Sequence, residues 1–187
     1  MSLFFSTERD DALLAMVVQE AHSAAGVSYL GRTALQKTMY FLKVLGVPMD
    51  YRFDIHHYGP FCNAILRDTE MLIVDGVVVD EAAKSRYSSY VPGPNAEELL
   101  AKHAAVLAQF RQRVRQVVAA LAPMSPEKLE LLATLHFAFA AERASGSQGP
   151  WKERVLRRFH VFKQDKFSPA EVGNGYEALV KAGLATE

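Results

Sequence analysis

The chain has 187 residues, half of them apolar, a tenth aromatic and 22% charged, a globular composition that excludes a disordered or fibrous polypeptide. Lys and Arg (21) balance Asp and Glu (21), so no large net field draws the whole molecule to nucleic acid or an anionic membrane; any such binding has to be local. Cys62 has no second cysteine to pair with, the start MSLFFSTERDD lacks a basic leader, and no uncharged stretch reaches the ~18 apolar residues of a membrane span, so the expectation is a cytoplasmic protein with no membrane partner.

Leu13, Leu14, Val17, Val18 and Ala21 have the spacing of one buried helical face and predict a first helix over 11–25, with Ser6 or Thr7 as N-cap and Gly26 as its stop. Thr33 and Gln36 have capping-box spacing ahead of a second helix, whose Leu35, Met39, Leu42 and Leu45 form the inner side until Gly46 and Pro48. The period then changes. In YRFDIHHY, Tyr51, Phe53 and Ile55 alternate with polar residues as in a half-buried strand, and Gly59-Pro60 turns the chain into a third helix with Pro60 at its first position. Ala64, Ile65, Met71, Leu72 and Val74 supply that helix's buried face. Val77–Val79 and Arg86–Val91 read as a hairpin closed by Pro92-Gly93-Pro94. Helix, helix, strand, helix and hairpin is the order of a winged helix-turn-helix, the hairpin being the wing.

From Asn95 the pattern is helical. Leu100, His103, Leu107, Phe110, Val114, Val117 and Leu121 make an a/d seam over three heptads, broken by Pro123 and Pro126. The short PMSP connection favours antiparallel packing of this seam on the helix that follows, capped by Ser125 and presenting Leu129, Leu132, Leu135 and Phe139. A basic amphipathic helix over 151–162 and a last helix opened by Ser168-Pro169 complete the chain. The fold expected is mainly α with a small β component: a winged-helix-like half over 1–94 and a helical region over 95–187 packed on it, the two together able to form one compact domain.

Chemistry-bearing clusters are sparse. His56, His57 and Cys62 lie within seven residues, but adjacent histidines on a strand point to opposite faces and no second metal-ligand pair accompanies them. Packing is the simpler role for all three. No nucleophile elbow, phosphate loop or dinucleotide fingerprint is present, and the acids at helix starts, Asp10 and Asp11 among them, suit the positive end of the helix dipole. The expectation is a non-enzymatic chain with no cofactor and no metal. A DNA reader is testable by charge. Between Pro60 and Asp75 a single cation, Arg67, faces Asp68, Glu70 and Asp75, leaving Asn63 and Arg67 as base or phosphate contacts, with Lys84 and Arg86 on the wing. The one basic stretch carries Lys152, Arg154, Arg157, Arg158, Lys163 and Lys166 against Glu153 and Asp165; it reads as a solvated cationic face or as a patch for nucleic acid or an acidic partner. Arg111, Arg113 and Arg115 would extend that patch only if their helix lay beside it.

The segment GRTALQKTMYFLK (Gly31–Lys43), followed by FDIHHYGP (Phe53–Pro60) and later by KQDKFSPAEV (Lys163–Val172), resembles the YwgA-like family and the related Panacea domain of SocA-type antitoxins. Within these motifs Leu35, Gln36, Lys37, Tyr40, Phe41 and Tyr58 are read as packing residues and Gly59-Pro60 as a fixed corner. The resemblance implies a winged-helix-like, non-enzymatic bacterial protein of toxin-neutralising, defence-associated or regulatory type, whose partner is another protein such as a toxin. The alternative is a transcriptional regulator that binds duplex DNA as a homodimer.

Overall fold

The computed structural model describes residues 8–24, 30–85, 87–146 and 148–186. These form α1 (Arg9–Ser23), α2 (Arg32–Val44), β1 (Asp54–His56), β2 (Gly59–Phe61), α3 (Asn63–Val74), β3 (Val78–Asp80), β4 (Tyr90–Pro92), α4 (Ala96–Lys102), α5 (Ala104–Leu121), α6 (Pro126–Ala144), α7 (Trp151–Lys163) and α8 (Pro169–Lys181). The protein is mainly α with two small antiparallel sheets, β1-β2 and β3-β4. It divides into two compact units. The first takes the chain up to Phe53 and again from Cys62 to Met124; the second takes Asp54–Phe61 and everything from Ser125. The boundary anticipated after Pro94 therefore falls inside the first unit.

In the first unit α1 is the core rather than a half-buried surface helix. Ala12, Ala15 and Met16 are as buried as the predicted Leu13, Leu14, Val17, Val18 and Ala21, because α2, α3, α4, α5 and β4 all pack on it. Ser6, Thr7 and Gly26 lie outside the described residues; Glu8 holds the N-cap position, its backbone N–H donating to Asp11 Oδ2 at 3.1 Å. Helix α2 starts at Arg32 after Gly31, so the Thr33/Gln36 capping box does not form. Leu45 points outward, and Gly46 at φ +83° ends the helix in a conformation glycine adopts without strain. The predicted third helix begins at Asn63, not Pro60, because Pro60 is taken into β2, and its Val74 is exposed.

The wing pairs β3 with β4 in the register Val79↔Val91, and Leu30, between α1 and α2, adds a one-residue bridge to Tyr90. Asp80 Oδ1 accepts from the backbone N–H groups of Ala82 and Ser89, fixing the wing's first turn. The heptad run is interrupted at His103, which ends α4 and starts α5. Leu99, Leu100, Leu107, Val114 and Val118 are buried, and within this unit α5 packs mainly on α1 and α2. Within this unit the seam therefore packs on helices that come earlier in the chain.

In the second unit α6 is the central helix, capped by Ser125, whose Oγ accepts from Lys128 N. It packs against α7, α8 and β2. The predicted strand over 51–58 shortens to β1, which folds back through His57 and Tyr58 onto β2 in the register Ile55↔Pro60, with Gly59 at φ +86°. Ser168 and Glu171 close a capping box on α8. Helix α8 approaches α6 at Gly175, where an added Cβ would lie 2.8 Å from Leu135 Cδ1.

Candidate functional site

Of His56, His57 and Cys62, expected to pack, only Cys62 does so. His56 and His57 are exposed on the β1-β2 hairpin, whereas Cys62 is buried as the N-cap of α3, and no set of three metal-ligating side chains converges among the described residues. Gln36 explains the burial of Cys62. Its Nε2 donates to the Cys62 carbonyl and its Oε1 accepts from the Cys62 N–H, both at 3.0 Å, so one side-chain amide satisfies both backbone groups where α3 begins. Leu35, Lys37, Tyr40 and Phe41 are buried beside it on α2. Tyr58 differs from the packing role expected of it: it is 60% exposed at the hairpin turn, with the Lys166 ammonium 5.2 Å from its ring centroid.

The cations expected to meet nucleic acid are mostly committed elsewhere. Arg67 is exposed but donates to its neighbour Asp68 at 3.1 Å; Asn63 and Lys84 are exposed, and Arg86 lies outside the described residues. On α7, Arg154 and Arg158 both pair with Glu142 of α6 and Lys152 pairs with Glu177 of α8, while Lys163 at its end and Lys166 just beyond it share Glu130. Only Arg157 of the six lacks an ion pair among the described residues. The hydrogen bond from Arg158, with that from Arg154, holds the Glu142 carboxyl below its ordinary range. The charge of this stretch is therefore partly compensated, three carboxylates facing five paired cations, most of which keep contact with solvent. Arg111 and Arg115 are spent likewise on buried Glu20 of α1, at 2.7 and 2.8 Å, and Arg113 donates to the Leu45 carbonyl.

The Glu130 cluster is the most buried of these. Lys163 is 6% exposed, donates to Glu130 Oε1 at 2.7 Å and also to the His57 carbonyl, so it ties the hairpin turn to α6. Burial pulls the Lys163 ammonium below its ordinary value, opposed by the Glu130 carboxylate. Nearby on α6, His136 is held neutral by burial, with its pKa brought down to about 4.

One concave site in the first unit has a different character. The first turn of α1, the segment Asp50-Tyr51 and the outer side of α3 enclose a groove of about 760 Å³. Glu8, Asp10, Asp11, Asp50 and Asp68 line it against Arg9 and Arg67, over a floor that includes Ala64, Met71 and Tyr51. Asp10 is pinned from two sides: Arg9 donates to Oδ1, and the Asp50 N–H donates to Oδ2 at 2.7 Å. Burial, and then the carboxylates of Asp68, Glu8 and Asp10, raise the Asp11 carboxyl above its usual range, although its bond from the Glu8 N–H opposes this. Tyr51 is 4% exposed; burial, and then the Asp68 carboxylate beside it, push its hydroxyl well above the usual range.

Compared with known proteins, the chain matches no family model and no curated protein. Sequence reasoning placed Asp10 and Asp11 only as helix-dipole acids and Tyr51 only as a strand residue. It had no means of finding the groove, because nothing local links Asp10 and Asp11 to Tyr51 or to Asp68, the latter more than fifty residues away in the chain.

Proposed function

We propose that the chain is a non-enzymatic protein-interaction module that works in the cytoplasm, of the toxin-neutralising, defence-associated or regulatory type implied by its resemblance to the YwgA-like and Panacea families. The observation that carries this reading is the charge of α3 and its surroundings. In a winged-helix protein this helix would enter the major groove, where phosphates reward cations and bases reward Arg, Lys, Asn or Gln. Here its accessible side offers Asp68 and Glu70 beside an Arg67 already tied to Asp68, and the acidic groove flanks it. Bringing a polyanion to that surface sets like charges against each other. A basic protein surface meets no such barrier.

The ion pairs of α7 support the same choice, since Lys152, Arg154, Arg158 and Lys163 would have to leave carboxylates before they could hold phosphate. The competing reading, a DNA-binding regulator acting as a homodimer, is supported by the order of α1, the Leu30 bridge to Tyr90, α2, α3 and the β3-β4 hairpin in the first unit. Fluorescence anisotropy with generic duplex DNA at low salt, run beside binding assays against the products of neighbouring genes, separates the two. The interaction module gives no DNA binding and a saturable complex with one such product. Tight DNA binding that falls steeply with salt, with no protein partner, overturns it.

A further inference from the structure

We infer that a cleft along α7 docks an acidic segment of the partner protein, with a carboxylate on Arg157 and a large apolar side chain on Val161 and Phe162. The inference rests on the interaction-module reading and names a part of the surface that makes the contact. The cleft lies within the second unit, where Glu142 of α6 meets Arg154, Arg157, Arg158, Val161 and Phe162 of α7. Those five α7 residues stand at i, i+3, i+4, i+7 and i+8, so they share one side of the helix, while Val155 and Phe159 are buried on another.

Charge is the first observation. Hydrogen bonds from Arg158 and Arg154 hold the Glu142 carboxyl in its ionised form, so one negative charge stands against three guanidiniums. Arg154 and Arg158 are fixed on Glu142 through their Nε atoms. Arg157 is left to receive a ligand: it is exposed and makes no ion pair among the described residues, not even with Glu153 one turn earlier. One carboxylate can dock on it without breaking a bond already made, and the two held arginines add to the field that attracts it.

The second observation is Val161. At 73% it is the most exposed large apolar side chain among the described residues. A β-branched residue lowers helix propensity, and at this exposure burial gives nothing back, so a covering surface accounts for it best. Phe162 continues the apolar surface, its half-buried ring set edge-on to Phe137 of α6 with the centroids 6.2 Å apart.

The spacing defines the ligand. Arg157 and Val161 are one turn apart, about 6 Å along the helix axis. Side chains two residues apart in an extended segment point the same way at a separation of roughly 6.5–7 Å, so Glu-x-Leu or Asp-x-Leu matches the pair. The cleft measures about 290 Å³, below the roughly 300–1,000 Å³ of small-molecule pockets, and suits side chains rather than a cofactor. A phosphate backbone is the poorer occupant, because it brings no apolar group to Val161 and needs more unpaired cations than Arg157.

The test is an amide NMR titration of the full chain at low salt with a Gly/Ser peptide carrying one Glu-x-Leu unit, beside counterparts carrying Gln-x-Leu and Glu-x-Ser. The first peptide shifts the amides of residues 154–162 saturably, and each counterpart binds about three- to tenfold more weakly. Arg157→Gln and Val161→Ser in the protein cause losses of the same size without lowering the melting temperature, since both side chains are exposed and Arg157 has no ion pair to lose. Arg157→Lys recovers part of the binding, as a charge without the planar fork. Lys128→Gln, which removes the same charge from an exposed place on α6, leaves binding unchanged. No saturable shift, shifts centred outside α7, equal binding of either counterpart, an equal loss from Lys128→Gln, or displacement of the peptide by a lower concentration of inorganic phosphate would each overturn the inference. The partner from the preceding assays is then measured against Arg157→Gln and Val161→Ser. If it binds them undiminished, the cleft inference falls and the module reading stands; if no partner exists but the Glu-x-Leu peptide binds as described, the reverse holds.

Discussion

Two glycines on α8 show how much a single methyl group depends on what faces it. Gly173 and Gly175 are two residues apart on one helix, both in the GNG segment that lies inside the final helical pattern. A Cβ at Gly173 would meet nothing within 4 Å, whereas one at Gly175 would press on Leu135 and Leu131 of α6. Gly173→Ala should therefore stabilise the protein by about 0.5–1 kcal/mol, through the entropy glycine retains in the unfolded chain. Gly175→Ala carries the same propensity gain but forces side chains in a packed seam to move, and should destabilise by about 1–3 kcal/mol. Urea titrations of the two variants beside wild type check both signs. Equal effects would mean that α8 does not seat on α6 through Gly175.

At the scale of the element, Glu130 of α6 holds two lysines from the α7 end of the chain, one of them almost wholly buried. Glu130→Gln should cost about 3–5 kcal/mol, because the Lys163 charge is left in the interior without its counter-ion. Lys163 sits below its ordinary 10.5 even with the carboxylate present, and losing it lowers the value further. Such a group destabilises the fold as pH falls below its unfolded value, so the deficit should be largest near neutrality and shrink as pH rises toward 10.5. Replacing both residues, Glu130→Leu with Lys163→Met, should return most of the stability, since no uncompensated charge remains. Thermal melts across pH measure all of this. A double variant as unstable as Glu130→Gln would show that packing rather than charge is at stake. The same cluster marks where the sequence stops being readable. The Ser125 and Ser168 caps were legible because a cap and its helix are three residues apart. The basic run was legible as letters but not as a surface, because its counter-ions Glu130, Glu142 and Glu177 lie on other helices. Pro60 misled for a related reason: local preference puts proline at a helix start, and pairing with Ile55 puts it in a strand. The groove was legible only in pieces, as acids at the head of α1 and one acid in α3.

At the scale of the whole molecule, chain order and folding unit do not coincide. The hairpin Asp54–Phe61 leaves the first unit after α2 and the chain returns at Cys62, so the second unit is assembled from a short early segment and a long late one. The first unit, for its part, is not complete at the end of the wing. Helix α1 is buried on nearly every side, and α4 and α5 contribute much of that cover through Leu99, Leu107, Val114 and Val118. A fragment of residues 1–94 would expose this face of α1, leave Glu20 without Arg111 and Arg115, and present a large apolar patch to water. It should be unfolded or aggregated. A fragment of residues 1–124 keeps α1 through α5 and the clasp of Gln36 on Cys62, so it should retain a cooperative melt and a dispersed amide spectrum. In that longer fragment the hairpin loses both α6 beneath β2 and the Lys163 bond to His57, and its amides should exchange freely while those of α1 stay protected. Hydrogen exchange on the 1–124 fragment reads both regions at once. Protection lost in α1 as well would mean that the first unit depends on the second for its fold, and a folded 1–94 fragment would mean that α4 and α5 are not what completes its core.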